Sequence, residues 1–226
     1  MMKKRFFALS LALFFPFAAC AASENAQDYD RIANAHYRQG DYAGALEGYR
    51  KALVIREKAL GKDHPYTAAT YNNIALVYDN QGKYEEALEG YRKALVIQEK
   101  TLGEEPPDTA TTYNNIAVVY GYQGKYEEAL EGYRKALVIE EKVLGKDHPS
   151  TATTYNNIAA VYKNQGRREE ALAEYLKAYR IRIRVFGEAH PETQIVRDSM
   201  EVTYQKTGNP EPFSAWLSEA MKDTVR

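Results

Sequence analysis

The sequence repeats itself with a period of 42 residues, and this period constrains the fold more than any other feature. Self-similarity at a period of this size is typical of repeat arrays, in which each unit buries its apolar face against its neighbours. Three series of residues keep the spacing: Gly40, Gly82, Gly124, Gly166 and Gly208; Gly61, Gly103, Gly145 and Gly187; and Pro65, Pro107, Pro149 and Pro191. The chain is therefore expected to fold as a stack of similar units.

Within one unit the apolar residues recur at helical spacing. One face of the first predicted helix of the second unit carries Tyr71, Ile74, Ala75 and Tyr78, at i, i+3, i+4 and i+7. Gly82 is expected to end this helix, because glycine adopts the left-handed conformation at little cost. A second apolar stripe over residues 84–102 predicts a longer helix, and the proline that follows suits the first turn of the next one. Each unit is thus predicted to be two helices joined by a tight turn.

The second unit resembles the tetratricopeptide repeat. The residues that carry the resemblance are Tyr71, Asn72, Asn73, Ile74, Ala75, Tyr78, Gln81, Gly82, Lys83, Tyr84, Ala87, Tyr91, Ala94 and Leu95. The segments Glu-Lys-x-Leu-Gly-x-x-His-Pro at 57–65 and 141–149 are similar to the longer variant found in kinesin light chains and in many bacterial proteins. The resemblance spans residues 29 to about 208. It implies an all-α, right-handed superhelical solenoid of antiparallel helix pairs, whose concave groove is lined by the first helix of each unit and binds extended peptides.

These patterns divide the chain. Residues 1–20 are predicted to be a signal peptide, 21–27 a tether, 28–208 the repeat array and 209–226 a closing amphipathic helix. The units lie near 28–65, 66–107, 108–149 and 150–191, with a partial unit at 192–208. In the last unit Arg197 and Glu201 occupy the positions of a tyrosine and an alanine, and a more polar final unit is what an array needs to end in water.

The first twenty residues have the features of a bacterial secretion signal. Lys3, Lys4 and Arg5 precede an apolar stretch over residues 6–19 that is too short to span a membrane comfortably, and small residues surround Cys20. Removal of this segment shifts the formal net charge from −1 to about −4. The sequence therefore predicts export, with the periplasm as the destination.

Cys20 is the only cysteine, so the exported chain has no internal disulfide. Residues 17–20 resemble a lipobox, after which cleavage leaves a lipid-modified cysteine at the N-terminus. Phe17 departs from the leucine usual in that motif, and Ala19 would also serve an ordinary signal peptidase. We expect a membrane-anchored lipoprotein, and a soluble periplasmic or secreted protein is the alternative.

The ionisable residues do not assemble into a predicted catalytic or metal site. His64, His148 and His190 occupy equivalent linker positions, which a stack of units holds too far apart to share a metal ion. The glutamates of residues 85–93 and 127–135 form i, i+4 pairs with lysines, as expected of a solvated helix face. The mildly acidic mature chain lacks the basic groove of a nucleic-acid-binding protein. We expect no enzyme activity and no cofactor.

The candidate binding residues lie on the first helix of each unit, on the stripe opposite to its partner helix. Asn is a mediocre helix former, yet units two, three and four keep it in mid-helix at Asn73, Asn115 and Asn157. An amide offers both a donor and an acceptor, so a row of amides can bind the backbone of an extended peptide. The other predicted peptide-binding residues are Asn80, Thr111, Tyr122, Thr153 and Asn164, with Arg31, Asn34 and Arg38 in the first unit. A hydrogen-bond ladder that only holds the stack together is the alternative role of the asparagine row.

Two further features bear on partners. The positions of Asp79, Gly121 and Lys163 differ between otherwise copied units, which would suit a role in specificity. A cluster of Arg167, Arg168, Arg180, Arg182 and Arg184 is interpreted as a solvated face, with an acidic partner or an anionic envelope surface as the alternative. The sequence thus predicts a non-catalytic scaffold or adaptor for a protein or peptide in the cell envelope. An interaction protein that acts outside the cell is the second reading.

Overall fold

A computed structural model describes residues 15–102 and 107–222, and it describes side chains from residue 25 onward within these ranges, except that of Leu102. The described residues contain ten α-helices and no strand. The helices are α1 (Phe15–Arg38), α2 (Tyr42–Ala59), α3 (Pro65–Asn80), α4 (Tyr84–Leu102), α5 (Pro107–Tyr122), α6 (Tyr126–Val143), α7 (Pro149–Asn164), α8 (Arg168–Phe186), α9 (Pro191–Gln205) and α10 (Phe213–Lys222). The predicted all-α architecture is confirmed.

The helices pack as consecutive pairs, one pair per repeat. The pairs form two compact units, which we call the first unit (Met1–Gly103) and the second unit (Glu104–Arg226) from here on. In the first unit α1 packs on α2 and α3 on α4, and α2 also contacts α3. In the second unit the pairs are α5 with α6, α7 with α8 and α9 with α10, while α6 contacts α7 and α8 contacts α9. Within each unit, the second helix of a pair therefore packs against the first helix of its own pair and, where another pair follows, against the first helix of that pair.

The predicted helix ends are confirmed at both kinds of turn. Gly82 has a φ of 71°, in the left-handed region that ends a helix. Pro65 is the first residue of α3, and the residue before it, His64, caps the helix, with Nδ1 accepting a hydrogen bond from the backbone N–H of Tyr66 at 3.1 Å. His148 and His190 cap α7 and α9 in the same way. The repeated histidines are therefore capping residues.

Small residues set the distance between the two helices of a pair. Ala75 and Ala87 are both fully buried where α3 and α4 meet. Gly90 brings the two helices close together, because a Cβ atom there would lie 2.9 Å from the Cβ of Ala75. Gly48 and Gly132 have the same role in their pairs. A larger residue at these glycines would force the helices apart.

A buried polar residue lies at the same position of every longer second helix. In α2, α6 and α8 its side chain faces the seam between its own helix pair and the next first helix, and there we call it the seam residue. The seam residues are Arg56, Glu140 and Arg182, which are 6%, 4% and 7% exposed, and the equivalent Gln98 of α4 is 3% exposed. Charged and amide side chains are almost never this deeply buried without partners. Each seam must therefore supply its own hydrogen bonds.

The seam residue of the first unit is a cation. Arg56 forms an ion pair with Asp30 of α1, and it also donates a hydrogen bond to the hydroxyl of Thr70 on α3. Next to it, the Tyr71 hydroxyl donates to Glu57 at 2.8 Å. The guanidinium of Arg50 donates to the Tyr78 hydroxyl at 2.8 Å. Polar contacts thus run along the whole length of the seam between α2 and α3.

The seam between α6 and α7 is built around a carboxylate instead. Glu140 accepts hydrogen bonds from the Asn114 amide on α5 at 3.0 Å and from the Thr154 hydroxyl on α7 at 2.6 Å. Asn114 also donates to Thr154 at 2.9 Å. Burial raises the pKa of Glu140, while these two partners and the nearby His148 act to lower it.

The last pair closes the array. Arg182 of α8 forms an ion pair with Glu192 of α9, and Arg180 donates to the carbonyl oxygen of Ala220 on α10. Phe213 and Leu217 of α10 are buried, 42 residues after Ala171 and Tyr175 of α8. The predicted closing helix, α10, therefore occupies the position of the second helix of a pair, so the last repeat contains two helices.

The N-terminal boundary differs from the sequence expectation. Residues 21–27, predicted to be a tether, lie within α1, and Ala26 is fully buried. The helix therefore extends through the segment that was expected to be a linker. Residues 1–14 lie outside the described part of the chain, so the signal peptide and cleavage at Cys20 stay predictions.

The variant Glu140→Gln is expected to be more stable than the parent chain at pH 7. Because the folded pKa of Glu140 lies above its ordinary value of 4.5, the folded chain binds this proton more tightly than the unfolded chain. The contribution of Glu140 to stability is therefore greatest below pH 4.5 and falls as the pH rises through the raised pKa. Glutamine keeps a hydrogen-bonding group in the seam and removes the charge. Urea unfolding between pH 4 and pH 8 measures the difference.

The control is Glu131→Gln on the same helix. Lys135 lowers the pKa of Glu131 through a hydrogen bond and its charge, so this exposed glutamate favours folding above its ordinary pKa. Its replacement is expected to have a small effect of the opposite sign, which disappears on acidification. A lower stability of Glu140→Gln at pH 7 would contradict the expected sign.

Candidate functional site

The first helices of the first unit carry the predicted binding residues on their open side. Arg31, Asn34 and Arg38 of α1 and Asn80 of α3 are exposed, and Asn73 is partly exposed. We call these five residues the unit 1 face. Ile74 and Ala75, which neighbour Asn73 in sequence, are buried against the other helices. Helical geometry thus separates the packing stripe from the open stripe as the periodicity predicted.

The second unit presents an equivalent stripe on α5 and α7. It consists of Thr111, Asn115, Tyr122, Thr153, Asn157 and Asn164, which we call the unit 2 face. The residues at both ends of each helix are exposed, and the central asparagines are partly exposed. Tyr122 is 66% exposed, which is unusual for a tyrosine in this chain, where most tyrosines are half-buried or buried. These side chains are therefore accessible to a ligand.

The three central asparagines have unused hydrogen-bonding groups. Within the described residues the amides of Asn73, Asn115 and Asn157 make no hydrogen bond. The neighbouring amide of Asn114, by contrast, bonds to Glu140 and Thr154 in the seam. In this seam the hydrogen bonds between helices are made by Asn114, one residue before Asn115.

Other residues of the two faces use part of their hydrogen-bonding capacity within the protein. Asn80 donates to the hydroxyl of Tyr37 at 2.9 Å and to the carbonyl oxygen of Leu76. Asn34 accepts from the Tyr49 hydroxyl at 2.7 Å, which leaves its NH₂ group for other partners. The hydroxyls of Thr111 and Thr153 donate to carbonyl oxygens of their own helices, at 3.1 Å each. The hydroxyl of Thr153 also accepts a hydrogen bond from Arg182 at 3.2 Å, so Thr111 keeps more acceptor capacity than Thr153.

The two faces differ in charge. Arg31 pairs with Asp28 at 2.6 Å on the surface, where the side chains are 79% and 60% exposed, and such a pair contributes little. Arg38 makes no ion pair with any described residue. The unit 1 face therefore carries two guanidinium groups, whereas the unit 2 face carries no charged side chain among the six that define it.

Comparison with known proteins gives a consistent family. The family model described as tetratricopeptide repeat matches residues 22–100, 68–137, 108–182 and 151–222, which together cover most of the chain. The chain belongs to the tetratricopeptide repeat family. The match extends through α10 and so includes the last helix pair. A search of curated proteins finds no match.

Solved structures support the same tetratricopeptide fold. BtubC (BKLC) of P. vanneervenii is 24% identical, with a TM-score of 0.74, over 92% of this chain and 90% of that chain. A putative kinesin light chain of Podosopora anserina, with nearly identical TPR-like repeats, is 24% identical, with a TM-score of 0.71, over 88% and 92%. MamA is 18% identical, with a TM-score of 0.57, over 88% and 89%. The predicted likeness to kinesin-light-chain-type repeats is confirmed, and these similarities show the fold alone.

The tetratricopeptide pairs place one more helix on the open side of the second unit. Helix α9 carries Ile195, Ser199 and Val202, 42 residues after the equivalent positions of α7, and Lys206 caps its C-terminus. Ile195 is 62% and Val202 49% exposed. These residues were not among the predicted binding residues because the last repeat departs from the pattern, although the 42-residue period locates them. They extend the stripe of the second unit with apolar side chains.

The position of Asp79, Gly121 and Lys163 differs between otherwise copied repeats, and at Asp79 it is not an exposed position for ligand contact. Asp79 is half-buried, one of its carboxylate oxygens is buried without a hydrogen-bond partner, and burial raises its pKa. It acts electrostatically on the buried Tyr91, behind the face. Gly121 has open space around it. The suggested role of this position in specificity is therefore not supported at Asp79, which faces the interior of its pair.

The contacts of the arginine cluster in the fourth repeat change its interpretation. Arg182 is buried and paired with Glu192, and Arg180 binds the carbonyl oxygen of Ala220. Arg184 pairs with Asp147, and Arg167 pairs with Glu170 at 2.8 Å. Four of the five arginines thus stabilise the repeat or its neighbours. The interpretation as a solvated face is therefore wrong for Arg182, whereas Arg167 and Arg184, with side chains 41% and 60% exposed, form surface ion pairs that contribute little.

The described residues show no other chemical site. No three His, Cys, Asp or Glu side chains among them come together as metal ligands would. No helix in residues 15–102 and 107–222 is long and apolar enough to cross a membrane. The two faces of the first helices are therefore the candidate sites that the repeats provide.

Replacement of adjacent asparagines is expected to have opposite effects on stability. Asn115→Ala removes an amide without a partner and introduces a better helix former, so the free energy of unfolding is expected to stay equal or to rise by about 0.5 kcal/mol. Asn114→Ala leaves the buried Glu140 with one donor fewer and is expected to lower it by about 1–3 kcal/mol. Urea unfolding monitored by circular dichroism measures both. A large loss of stability for Asn115→Ala would instead place Asn115 in the scaffold.

Proposed function

We propose that the chain is a non-catalytic scaffold that binds extended segments of a protein or peptide partner on the open faces of its first helices. Tetratricopeptide repeat proteins generally act as scaffolds for protein–protein interaction, and membership of this family supports the proposal. The observation that carries it is the set of unpaired amides at Asn73, Asn115 and Asn157. Each stands at the same place of its repeat, partly exposed and without a hydrogen bond to any described residue.

Peptide backbone is the ligand chemistry that these amides match. An asparagine side chain can donate to a carbonyl oxygen and accept from a backbone N–H at the same time. Recognition of this kind does not depend on the sequence of the bound segment. It also explains why a residue that costs a helix about half a kcal/mol recurs in three repeats. Side chains around the amides then supply the preference for particular segments.

The unit 1 face favours acidic segments. Its two guanidinium groups, Arg31 and Arg38, lie on one helix face with the NH₂ group of Asn34 between them. Arginine binds carboxylates through paired N–H donors. The unit 2 face, with uncharged amides and hydroxyls and the apolar Ile195 and Val202 beside them on α9, favours neutral segments.

The proposed location is the bacterial cell envelope. It rests on the sequence features of residues 1–20, with Cys20 as the site of lipid attachment and the membrane anchor. The alternative is a secreted protein that acts on a partner outside the cell. Export follows from either reading, so the two differ only in what happens at Cys20.

The experiment for binding compares two triple variants in a cross-linked pull-down from the native cell envelope. Asn73→Ala, Asn115→Ala and Asn157→Ala remove the amide row. The matched control, Val54→Ala, Val96→Ala and Val138→Ala, truncates side chains of similar spacing on the second helices, which are 64–67% exposed. We expect the partner to be lost, by about tenfold or more in yield, only with the asparagine variant. Equal capture by both variants would remove the amide row from recognition.

The experiment for location uses Cys20→Ser. A lipoprotein incorporates labelled palmitate and partitions into detergent, and both properties are expected to disappear in this variant. The parent chain is expected to stay with the membrane fraction. An unlabelled parent chain that is recovered from the medium would exclude the anchored form and support the secreted alternative.

A further inference from the structure

The apolar packing between repeats is nearly the same at every seam, so it does not distinguish one seam from another. Ala52, Ala94, Ala136 and Ala178 are equivalent and fully buried. Ile74, Ile116 and Ile158 are likewise equivalent and at most 9% exposed. Residues 81–97 and 123–139 are identical in sequence. Misassembly and exchange of identical elements are characteristic hazards of repeat proteins of this kind.

The seam residues are equivalent buried positions whose charge differs from one repeat to the next. In the second unit Glu140 of α6 requires hydrogen-bond donors, whereas Arg182 of α8 requires a carboxylate. The first helix that docks on each supplies the matching group. Helix α7 brings the hydroxyl of Thr154 to Glu140, and α9 brings the carboxylate of Glu192 to Arg182. Each helix thus meets the chemistry that its seam needs.

The wrong combination loses these partners. At the place of Thr154, α9 has Val196, which is 1% exposed and has no hydroxyl, and at the place of Ser150 it has Glu192. Docked on α6, α9 would remove the Thr154 donor from Glu140, which would keep only Asn114 of α5, and it would bring a second carboxylate near it. Docked on α8, α7 would leave the buried Arg182 opposite Ser150. An unpaired buried charge is strongly unfavourable.

One contact would favour the incorrect docking of α9 on α6. Position 197 of α9 is an arginine where α7 has Tyr155, so α9 on α6 would bring Arg197 toward Glu141. Both positions are partly exposed, and a surface pair of this kind contributes little. In the observed fold Arg197 is held by Glu201 at 3.4 Å and lies over the ring of Phe213. The buried positions therefore outweigh it.

We propose that the seam residues specify the order in which the repeats dock, by matching each second helix to one first helix and excluding the others. The apolar residues supply the bulk of the stability, and the polar pair at each seam selects the partner. In the first unit the carboxylate that pairs with Arg56 comes from Asp30 of its own pair, and the docking helix α3 supplies the hydroxyl of Thr70, so the proposal concerns the two seams of the second unit. The device acts against exchange of repeats between copies of the chain.

The test makes the two seams of the second unit equivalent without leaving a charge unpaired. The variant Arg182→Glu, Glu192→Ser and Val196→Thr copies the α6–α7 seam onto α8 and α9, where Asn156 already stands at the place of Asn114. Because the transplanted set occurs naturally in this chain, the variant is expected to unfold cooperatively. The full chain is refolded from urea, and light scattering after size exclusion then measures the fraction that is dimeric or mispaired.

We expect this fraction to rise by about tenfold relative to the parent, equivalent to about 1.4 kcal/mol of lost discrimination. The control, Glu131→Lys with Lys135→Glu, inverts an exposed ion pair on α6 and is expected to refold like the parent. If the first variant does not fold, the reverse graft Glu140→Arg, Ser150→Glu and Thr154→Val makes the same comparison. A folded graft that refolds to the same monomer fraction as the parent and the control would overturn the proposal.

Discussion

A single helix pair of this chain cannot bury its own apolar surface, and every other property of the structure follows from that constraint. Within each unit, α2, α6 and α8 pack on one side against their own first helix and on the other against the next first helix. The first helices are then buried on the sides that face these neighbours, where Ile74 and Val77 lie. One stripe of each first helix remains open, and it carries the candidate binding residues. Stacking therefore creates the binding faces as well as the core.

Local rules explain why much of the fold could be predicted from the sequence. A glycine with positive φ ends a helix and a proline begins one by conformational restriction alone, so Gly82 and Pro65 locate helix ends without knowledge of their neighbours. The periodicity of Ile74 and Ala75 likewise identified the packed stripe. The unit 1 and unit 2 faces followed by subtraction, as the stripe that remained.

The seams could not be predicted in this way, because burial there depends on a neighbouring repeat. Arg56, Glu140 and Arg182 have the composition of solvated helix residues, and nothing local marks them as buried. The same limit explains why the arginine cluster around Arg182 was interpreted as surface. Residues one position apart on a helix point about 100° apart, so Asn114 enters a seam while Asn115 stays on the open face. Sequence supplied the pair of amides, and tertiary packing divided their roles.

This arrangement changes how variation between copied repeats should be interpreted. A peptide backbone is chemically uniform, so a surface that binds it gains from the same amide in successive repeats, as at Asn73, Asn115 and Asn157. An array of near-identical units, by contrast, gains from seams that differ, because identical seams allow repeats to exchange. In the two proposals, conservation of the exposed amides accompanies ligand contact, and divergence in charge at the seams accompanies assembly. The usual inference that divergent positions determine the ligand is reversed at the buried positions of this protein.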